Sequence, residues 1–529
     1  MQFKPAYLLT FGAAALLFLA CTKRDFDGAE FPGHTSEYAF PLFQTSISTD
    51  DILPNLLNDT LAGDTLIFHP DRTVTLIYSG KLAEKPASDI FTFFSDVIVP
   101  VFDTVTAAPT KAPDGVDLHY AQLKSGEINL WAWNTTRTEP LTCHFFIPQM
   151  TKNGQPFDLT FTVPPTTGNF PPSYASQVFS VAGYELTSED DSIYFRYEAF
   201  LPDGTPVEME GPGTDAPPIA VFIKGLKFQY VQGYWGYQVY QLTRDVIEID
   251  INQTNLTGNI RVKDPKVTMT IRNSWGFPTT GKVKYLSFIG KDGITRELQS
   301  TVLDTAGVEW GYPSYAAGEV GQTKVTDFVF DGTNSNIADI FNSEPVRMIY
   351  EVDGIANIDQ DTTLIGFITD SSTIQFAIRV ELLLEGAVRD FAASDTIDLD
   401  LNELDDLDPA DYEGVEFKLV TENELPMAAK MQLYFQDAAG ITIDSLFQNG
   451  PAEAIKAAPV GADGRPTATA RAETFIPMDV PRFNRLKSAE RAFFNTYLTT
   501  TDGGQADVKV LSDSNIRLGM GVKVKRKFD

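Results

Sequence analysis

The chain has 529 residues, of which 43% are hydrophobic and 12% aromatic, so it can bury several cores and does not have the composition of a disordered protein. Asp and Glu together number 71 against 41 Lys and Arg, and the formal charge is -30. A surface this acidic repels phosphate backbones, which argues against nucleic acid as a partner and leaves a cationic partner, a neutral glycan or a divalent cation.

The first 20 residues have the pattern of an export signal. Lys4 precedes an uncharged stretch, from Leu8 to Ala20, that is too short to span a bilayer as a helix. The sequence Phe18-Leu19-Ala20-Cys21 resembles a bacterial lipobox, and its loose form resembles those of the Bacteroidota. The resemblance implies that a signal peptide, residues 1–20, is removed and that Cys21 is anchored to a membrane by lipid. The alternative is an ordinary secretory signal followed by an accidental cysteine.

The residues after Cys21 indicate where the anchor is placed. The segment from Lys23 to Asp27 resembles the export signal that sends some Bacteroidota lipoproteins to the cell surface. The resemblance implies an outer-membrane lipoprotein that faces the cell surface, with the periplasmic face as the alternative. Residues 21–37 are polar and contain Pro and Gly, so we expect them to form a flexible tether. Because Cys21 carries the lipid, Cys143 has no partner for a disulfide bond within the chain.

The rest of the chain is dominated by alternating apolar and polar residues between Gly, Pro and Asn, which is typical of β-strands. Residues 38–110 are predicted to be an added N-terminal β segment with a hairpin from Thr65 to Tyr78. Convincing helical stretches are few. The best is Arg485 to Tyr497, and Asn336 to Phe341 is expected to form a single turn.

A set of landmarks recurs along the chain at a spacing of about 140–150 residues. In each case an alternating strand reaches an Asn, and then a Pro, a second strand and a turn glycine follow; Asp-Gly pairs, which favour turns, keep the same spacing. The landmarks are Asn134, Asn273 and Asn423, with the pairs Asp203-Gly204, Asp353-Gly354 and Asp502-Gly503. The repetition predicts three β repeat units, at residues 111–230, 231–380 and 381–529.

The alternation gives each strand one buried face and one solvent-exposed face, as in an antiparallel β-sandwich. The order of Asn and then Pro between strands resembles the Ig-like sandwiches of late-embryogenesis-abundant proteins, and the resemblance implies an Ig-like unit. No Gly/Ser linker separates the units. We therefore expect a mainly β protein of tandem antiparallel β-sandwich repeat units in an elongated arrangement, with few short helices.

Three groups of aromatic residues are candidates for ligand binding, because the C–H face of a sugar packs on a flat, exposed ring. The groups are Tyr230, Tyr234, Trp235, Tyr237 and Tyr240; Trp310, Tyr312 and Tyr315; and Trp131 with Trp133 on one strand face. The predicted stacking residues are Tyr234, Trp235, Tyr237, Trp310 and Tyr312. The alternative is that the rings fill the core and the junctions between repeats.

Candidate metal ligands are confined to one acidic stretch, from Asp395 to Glu413. Clustered carboxylates on a loop can hold Ca²⁺, and Asp405, Asp406 and Asp408 are the candidate ligands. The favoured interpretation of the stretch is nevertheless a solvated face, because part of it alternates with apolar residues. We expect no other cofactor.

Catalytic residues do not stand out. Cys143 and His144 are neighbours in a predicted strand, so they point to opposite faces and cannot share a metal. The triplet Glu189-Asp190-Asp191 is an acidic group of the kind that glycoside hydrolysis uses, but the reaction needs two carboxylates facing each other at a set separation.

The leading functional hypothesis is a lipid-anchored, non-enzymatic binding or scaffold protein of the cell envelope, with another envelope protein as its partner. Repetition favours reach and several weak contacts over one deep active site. A glycan-binding lipoprotein of a polysaccharide-uptake system is the first alternative. A glycan-active hydrolase and a lipid carrier are further alternatives.

Overall fold

The computed structural model describes residues 34–49, 65–87, 96–110, 115–167, 172–213, 215–249, 258–303, 306–399 and 412–528. Strand accounts for about 61% of the structure and helix for about 4%, in several antiparallel sheets, which confirms the predicted mainly β class. Cys21, the signal peptide, Asp405, Asp406 and Asp408 lie outside the described residues.

The strands fall into an N-terminal set and three units. The N-terminal strands are β1 (His34–Ser48), β2 (Thr65–Phe68), β3 (Val74–Pro86), β4 (Val97–Val101) and β5 (Val105–Pro109). Unit 1 contains β6 (Asp117–Ala132), β7 (Leu141–Lys152), β8 (Gln155–Val163), β9 (Tyr174–Ala175), β10 (Phe179–Ser180), β11 (Glu185–Thr187), β12 (Ser192–Phe200), β13 (Pro206–Val207) and β14 (Ile219–Tyr234).

Units 2 and 3 follow in the chain. Unit 2 contains β15 (Gln238–Glu248), β16 (Asn259–Val262), β17 (Lys266–Asn273), β18 (Thr279–Gly290), β19 (Thr295–Glu297), β20 (Val308–Trp310), β21 (Lys324–Phe330), α1 (Ile337–Phe341), β22 (Pro345–Ala356), β23 (Gly366–Thr369) and β24 (Thr373–Leu383). Unit 3 contains β25 (Glu385–Arg389), β26 (Phe391–Asp398), β27 (Tyr412–Asn423), β28 (Met427–Gln436), β29 (Thr442–Ser445), β30 (Ala452–Ile455), β31 (Ala470–Met478), α2 (Val480–Leu486), β32 (Arg491–Thr500), α3 (Thr501–Gly504), β33 (Val508–Lys509) and β34 (Asn515–Phe528).

The same strand plan occurs three times. In unit 2, β24 lies between β3 and β17 in one sheet, while β22 lies between β15 and β18 in the other. In unit 3 the corresponding strands are β34 between β1 and β27, and β32 between β26 and β28. Unit 1 places β14 between β4 and β6, and β12 between β5 and β7, with β11 joining both halves into one sheet of 12 strands.

The N-terminal strands do not form a separate segment of their own. Instead β1, β3 and β4, here called the strap strands, each pair with the last strand of a different unit: β34, β24 and β14. Strand β1 begins at His34, so residues 34–37 belong to the fold and not to the predicted tether. The strap strands therefore connect unit 3, unit 2 and unit 1 in that order.

The register of the strap strands gives their direction. His34 lies opposite Phe528, and Ser48 lies opposite Asn515. The start of β3 is beside unit 3, where Thr73 bridges Leu511. The end of β3 is near unit 1, because β23, which closely precedes β24, pairs with β14. His34 thus lies at the end of unit 3 that faces away from the other two units.

Three clusters of buried side chains form the cores. The largest fills unit 1 and continues into the adjoining end of unit 2, where it includes Trp275 and Phe277. A second fills the remainder of unit 2, around Phe330 and Ile340, and a third fills unit 3. Units 1 and 2 therefore share a continuous apolar core, whereas among the described residues units 2 and 3 have separate cores.

The landmark Asn residues hold strand ends together in all three units. Asn134, Asn273 and Asn423 are at most 3% exposed, and each donates from Nδ2 to a main-chain carbonyl at or just past the end of a later strand. The acceptors are the carbonyls of Val163, Gly311 and Lys456, at 3.3, 3.2 and 2.8 Å. A buried amide that spans two chain segments explains why the same residue type recurs at this position.

Several local predictions are confirmed. The hairpin from Thr65 to Tyr78 is formed by β2 and β3, and the expected single turn is α1. The Asp203-Gly204 and Asp502-Gly503 pairs form turns in which the glycine φ is 87° and 64°. In the described part of the chain, no helix is long and apolar enough to cross a bilayer.

Other local predictions are wrong. The expected helix from Arg485 to Tyr497 is instead the end of α2 followed by β32, in which Ala492 and Phe494 alternate into the core. The stretch contains residues that favour helix, but every second side chain is buried when it forms a strand between β26 and β28. This packing outweighs the local helix preference. The Asp353-Gly354 pair lies inside β22 and is not a turn. Strands β14 and β24 also continue past the unit boundaries predicted at residues 230 and 380.

Replacing Asn423 with Ala tests the role of the landmark amides. The change leaves the carbonyls of Met427 and Lys456 and the amide of Leu425 without their partner. We expect unit 3 to lose about 2–4 kcal/mol of unfolding free energy, because buried groups left unpaired keep their desolvation cost. Calorimetry is the suitable measurement, because the five Trp residues of the chain all lie outside unit 3.

The matched control is Asn449→Ala, since Asn449 is exposed in the same unit. We expect its melting transition to stay within about 0.5 kcal/mol of the wild type. Equal transitions for Asn423→Ala and Asn449→Ala would show that the buried amide contributes nothing.

Candidate functional site

The two tryptophans predicted to stack on a ligand are buried. Trp235 is 5% exposed and lies 5.1 Å, centroid to centroid, from the ring of Phe277 in a stacked arrangement. Trp310 is 7% exposed and its ring meets that of Phe376 edge-on at 5.9 Å. The prediction that these rings form an exposed platform is therefore wrong, because their large apolar area completes the core shared by units 1 and 2.

Tight glycines make room for both rings. A Cβ on Gly366 would come within 2.6 Å of Trp235 Cδ1, and one on Gly281 within 2.5 Å of Trp310 Cζ3. The glycines that contact these aromatic rings therefore allow close packing in the core that units 1 and 2 share.

The other three predicted stacking residues do not form a common platform. Tyr234 and Tyr312 are half-buried, and Tyr237 is 44% exposed. Within the described residues, none of these three rings stacks on another aromatic ring. A broad stacking surface made of the predicted residues is therefore not present.

A cluster of tyrosines lies where units 1 and 2 meet. The ring of Tyr230 lies 6.0 Å from that of Tyr120 and 6.1 Å from that of Phe367. The Tyr230 hydroxyl donates to Gln232 Oε1 at 3.1 Å, and Gln122 Nε2 donates to the Tyr120 hydroxyl at 3.0 Å. Burial, with the nearby hydroxyls of Tyr315 and Tyr120, raises the pKa of Tyr230 to about 12. Both hydroxyls are bonded to glutamine side chains, and the rings pack between β14 of unit 1 and β23 of unit 2. The cluster is therefore part of the junction of these units.

Trp131 and Trp133 have different environments. Trp133 is 8% exposed, whereas Trp131 is half-buried and its ring lies 4.8 Å from that of Phe222. Trp131 is on the outer face of the sheet, because Leu130 and Ala132 on either side of it are core residues. Of the three aromatic groups, this one has a ring on an outer sheet face.

One part of this outer face was missed by sequence reasoning. Strand β4, Val97–Val101, has the sequence VIVPV, with both Ile98 and Pro100 exposed. A strand in an antiparallel sheet with one solvent-exposed face normally alternates apolar and polar residues. The continuous apolar run of β4 departs from this pattern and could have been recognised in the sequence. It points to a strand with apolar surface on both sides.

Cys143 and His144 point to opposite faces of β7, as predicted. Cys143 is fully buried, and burial raises the pKa of its thiol to about 12. His144 lies on the outer face, where its Nε2 is 2.6 Å from Asp158 Oδ2. The thiol therefore stays protonated at physiological pH, and a Cys-His nucleophile pair is not formed.

The acidic triplet Glu189-Asp190-Asp191 forms a tight turn. Asp190 and Asp191 have φ of 49° and 56°, and Glu189 bridges Ser192 across the turn. Glu189 also accepts a hydrogen bond from Gln149 Nε2 at 3.2 Å. This turn does not set two carboxylates across a cleft. Among the described residues, no group of three or more His, Cys, Asp or Glu could hold a metal ion.

A groove of about 300 Å³ lies on the outer face of unit 3, at the end near unit 2. Its lining residues are Glu422, Glu424, Thr469, Arg471, Asn515 and Arg517. Glu422 lies between two arginines, 3.7 Å from Arg471 and 3.8 Å from Arg517. These ion pairs join side chains on adjacent strands, and exposed pairs of this kind contribute to strand pairing within the sheet. They do not by themselves indicate a ligand site.

Comparisons with known proteins identify no family. No protein-family model matches the chain, and no curated protein matches it. The chain is similar to a protein of Parabacteroides distasonis inferred to be secreted, with 12% identity, 92% of this chain and 99% of that chain covered, and a TM-score of 0.31.

The chain is also similar to structures of infectious bursal disease virus. A Gt strain structure has 10% identity, coverage of 90% and 86%, and a TM-score of 0.14. A VP2 subviral particle has 9% identity, coverage of 89% and 82%, and a TM-score of 0.13. Scores this low do not assign the chain to a fold family or to a function.

Replacing Gly366 with Ala tests whether the aromatic residues hold units 1 and 2 together. The new methyl group would overlap Trp235 and lie 2.8 Å from Phe277 Cβ, so the ring must move. We expect a loss of about 1–3 kcal/mol in stability and a red shift of tryptophan emission. The control is Gly332→Ala, because a Cβ there meets nothing within 4 Å. An unchanged spectrum and melting curve in Gly366→Ala would contradict the packing role.

Thiol labelling tests the environment of Cys143. We expect maleimide to leave Cys143 unlabelled in the native protein at pH 8, because the thiol is buried and its pKa is about 12. After unfolding in urea, Cys143 should react fully, and a Cys143→Ala variant should lose this label. Rapid labelling of the native protein at this residue would contradict the burial.

Proposed function

We propose that the chain is a lipid-anchored, non-enzymatic binding or scaffold protein of the cell envelope, held in the outer membrane by Cys21 and facing the cell surface. The observation that carries the proposal is the direction of the strap strands. They begin at His34, at the free end of unit 3, and reach unit 1 only with β4. An anchor that precedes His34 therefore attaches to one end of the stack of units.

The distance from the anchor to the fold is limited by the chain. From Cys21 to His34 an extended chain reaches at most about 45 Å. Unit 3 would accordingly lie next to the membrane, and unit 1 would be the part presented farthest from it. Such an arrangement suits a protein that holds a binding surface away from the membrane.

The alternatives have lost their specific support. The glycan-binding hypothesis was motivated by exposed rings at Trp235 and Trp310, and both side chains are in the core. The hydrolase hypothesis needs facing carboxylates, and the acidic triplet near Asp190 is a turn. We therefore prefer a scaffold or protein-binding role.

The proposal predicts surface display that depends on Cys21. An epitope inserted at the exposed Asn153-Gly154 turn of unit 1 should be labelled by antibody on intact cells and removed by external protease. In the Cys21→Ser variant, labelling of intact cells should be lost, because the lipid anchor is absent. Protection of the wild-type epitope until the outer membrane is broken would place the protein on the periplasmic face.

A thiol count provides an independent test of lipid attachment. In the unfolded protein purified from membranes, Cys143 should be the one reactive thiol if Cys21 carries lipid. Two reactive thiols would contradict lipidation. The Cys143→Ala variant is the control, and it should give no reactive thiol.

A further inference from the structure

A pull on the N-terminal end of the fold enters through β1. Among the described strands, β1 is at the edge of its sheet and pairs with β34. His34 lies opposite Phe528 at the free end of unit 3, and Ser48 lies opposite Asn515 at the end near unit 2. A force that draws the chain before His34 away from unit 1 therefore acts along β1, in the direction that slides it past β34.

Such a force does not pass along the chain from β1 to β3 while β1 is paired. The N–H of Thr49 donates to the carbonyl of Ser514 at 2.9 Å, and Thr73 bridges Leu511. The segment between the two threonines therefore begins and ends beside the same loop, just before β34. Its extended length of about 80 Å is much greater than the gap between its ends. The tension accordingly crosses from β1 to β34.

Tension that reaches unit 3 continues to the other units along the main chain. Strand β24 of unit 2 is joined to β25 of unit 3 through Leu384 alone. Strand β14 of unit 1 is likewise followed closely by β15 of unit 2. The pairing of β1 with β34 is thus the step at which a pull on the N-terminal tether enters the folded units.

Side chains strengthen this step. The ring of Phe43 meets that of Phe494 edge-on at 5.7 Å in the core of unit 3. On the outer face, Glu37 of β1 pairs with Lys523 and Lys525 of β34. Sliding must draw Phe43 out of the core and strain the hydrogen bonds of the whole antiparallel ladder together, whereas peeling from one end would break them one at a time.

We propose that the pairing of β1 with β34 is a mechanical clamp, which holds the fold together against a pull between the N-terminal tether and unit 1. This inference rests on the proposed function for its fixed end, because the lipid on Cys21 supplies it. Of the three pairings made by the strap strands, the one from His34 to Ser48 is the longest, and it is nearest the anchor.

The strap contains a second clamp of the same kind. If β1 slides out, the segment before β3 straightens, and the pull then acts on β3. This strand begins beside unit 3 and runs toward unit 1 while paired with β24, so it too is loaded along its length. The tether would thus lengthen in one step without releasing units 1 and 2.

Extension of the purified chain in optical tweezers tests the clamp. The chain carries Cys21→Ser and Cys143→Ala, with one handle at the N-terminus and one at the exposed Asn153-Gly154 turn of unit 1. We expect a first step of about 50–90 Å, which is the extended length from His34 to β2 or β3 minus the roughly 50 Å that β1 already spans. This chain has no lipid, so the result does not depend on whether Cys21 is anchored.

A disulfide bond between the two strands gives the decisive variant. Ser46 lies opposite Arg517, and on its other side Arg517 lies opposite Glu422 of β27. Opposite residues in antiparallel strands have Cα atoms about 4.5–5.5 Å apart, a distance that a disulfide spans. The double variant Ser46→Cys, Arg517→Cys should lose the first step when oxidised and regain it when reduced. The matched control, Glu422→Cys with Arg517→Cys, ties β34 to β27 and should keep the step.

Two results would overturn the clamp. A first step that persists when Ser46→Cys is oxidised to Arg517→Cys would mean that units 2 and 3 part before β1 slides. Loss of the step in the oxidised control as well would mean that the sheet gives way between β34 and β27. Thermal melting of each variant checks that it is folded. Neither result bears on surface display, which the labelling of intact cells tests separately.

Discussion

The structure depends on main-chain hydrogen bonding between the strap strands and the last strand of each unit. Each of β1, β3 and β4 supplies a sheet of a different unit with one of its strands, so no unit is complete on its own. The order of the strap strands along the chain is opposite to the order of the units. The N-terminal part of the chain therefore joins all three units through strand pairing.

The two junctions are held together by different forces. Units 1 and 2 share apolar area, as in the stacking of Trp235 on Phe277. Units 2 and 3 meet through polar contacts, such as the ion pair between Arg72 and Asp513 at 2.9 Å. Here Asp71 also pairs with Arg465, and hydrogen bonds from Thr73 together with Arg465 lower the pKa of Asp71 to about 2.

The two junctions are expected to respond differently to salt. Apolar contact is insensitive to salt, whereas exposed ion pairs weaken as ionic strength rises. Main-chain hydrogen bonds also cross this junction, because β16 of unit 2 pairs with β25 of unit 3, so salt is expected to weaken the ion pairs without separating the units.

Sequence patterns predicted what is local and missed what is long-range. Alternation, the landmark Asn residues and two of the three Asp-Gly pairs identified strands and turns correctly, because these features depend on residues close together in the chain. The pairing of β1 with β34 has no local signal, since its partners are hundreds of residues apart. The stretch from Arg485 was misassigned because its helix-forming composition conflicts with a central position in a sheet.

The candidate site was predictable only in part, for a related reason. Sequence identified the aromatic groups but could not show that Trp235 and Trp310 lie on the inner side of a junction. Which side of a strand is buried depends on the units that pack against it. The apolar run in β4 was visible in the sequence, but the exposure of Ile98 and Pro100 was not.

The pairing of β1 with β34 also constrains how the chain reaches its native state after synthesis. Strand β1 is made long before β34, the strand with which it pairs. During synthesis the backbone groups of β1 therefore stay unpaired until β34 is made, while units 1 and 2 can already fold. Pro41 and Glu37 within β1 make the waiting strand a poor template for aggregation. Completion of unit 3 is thus the step after which β1 no longer presents an unpaired edge to proteases and chaperones.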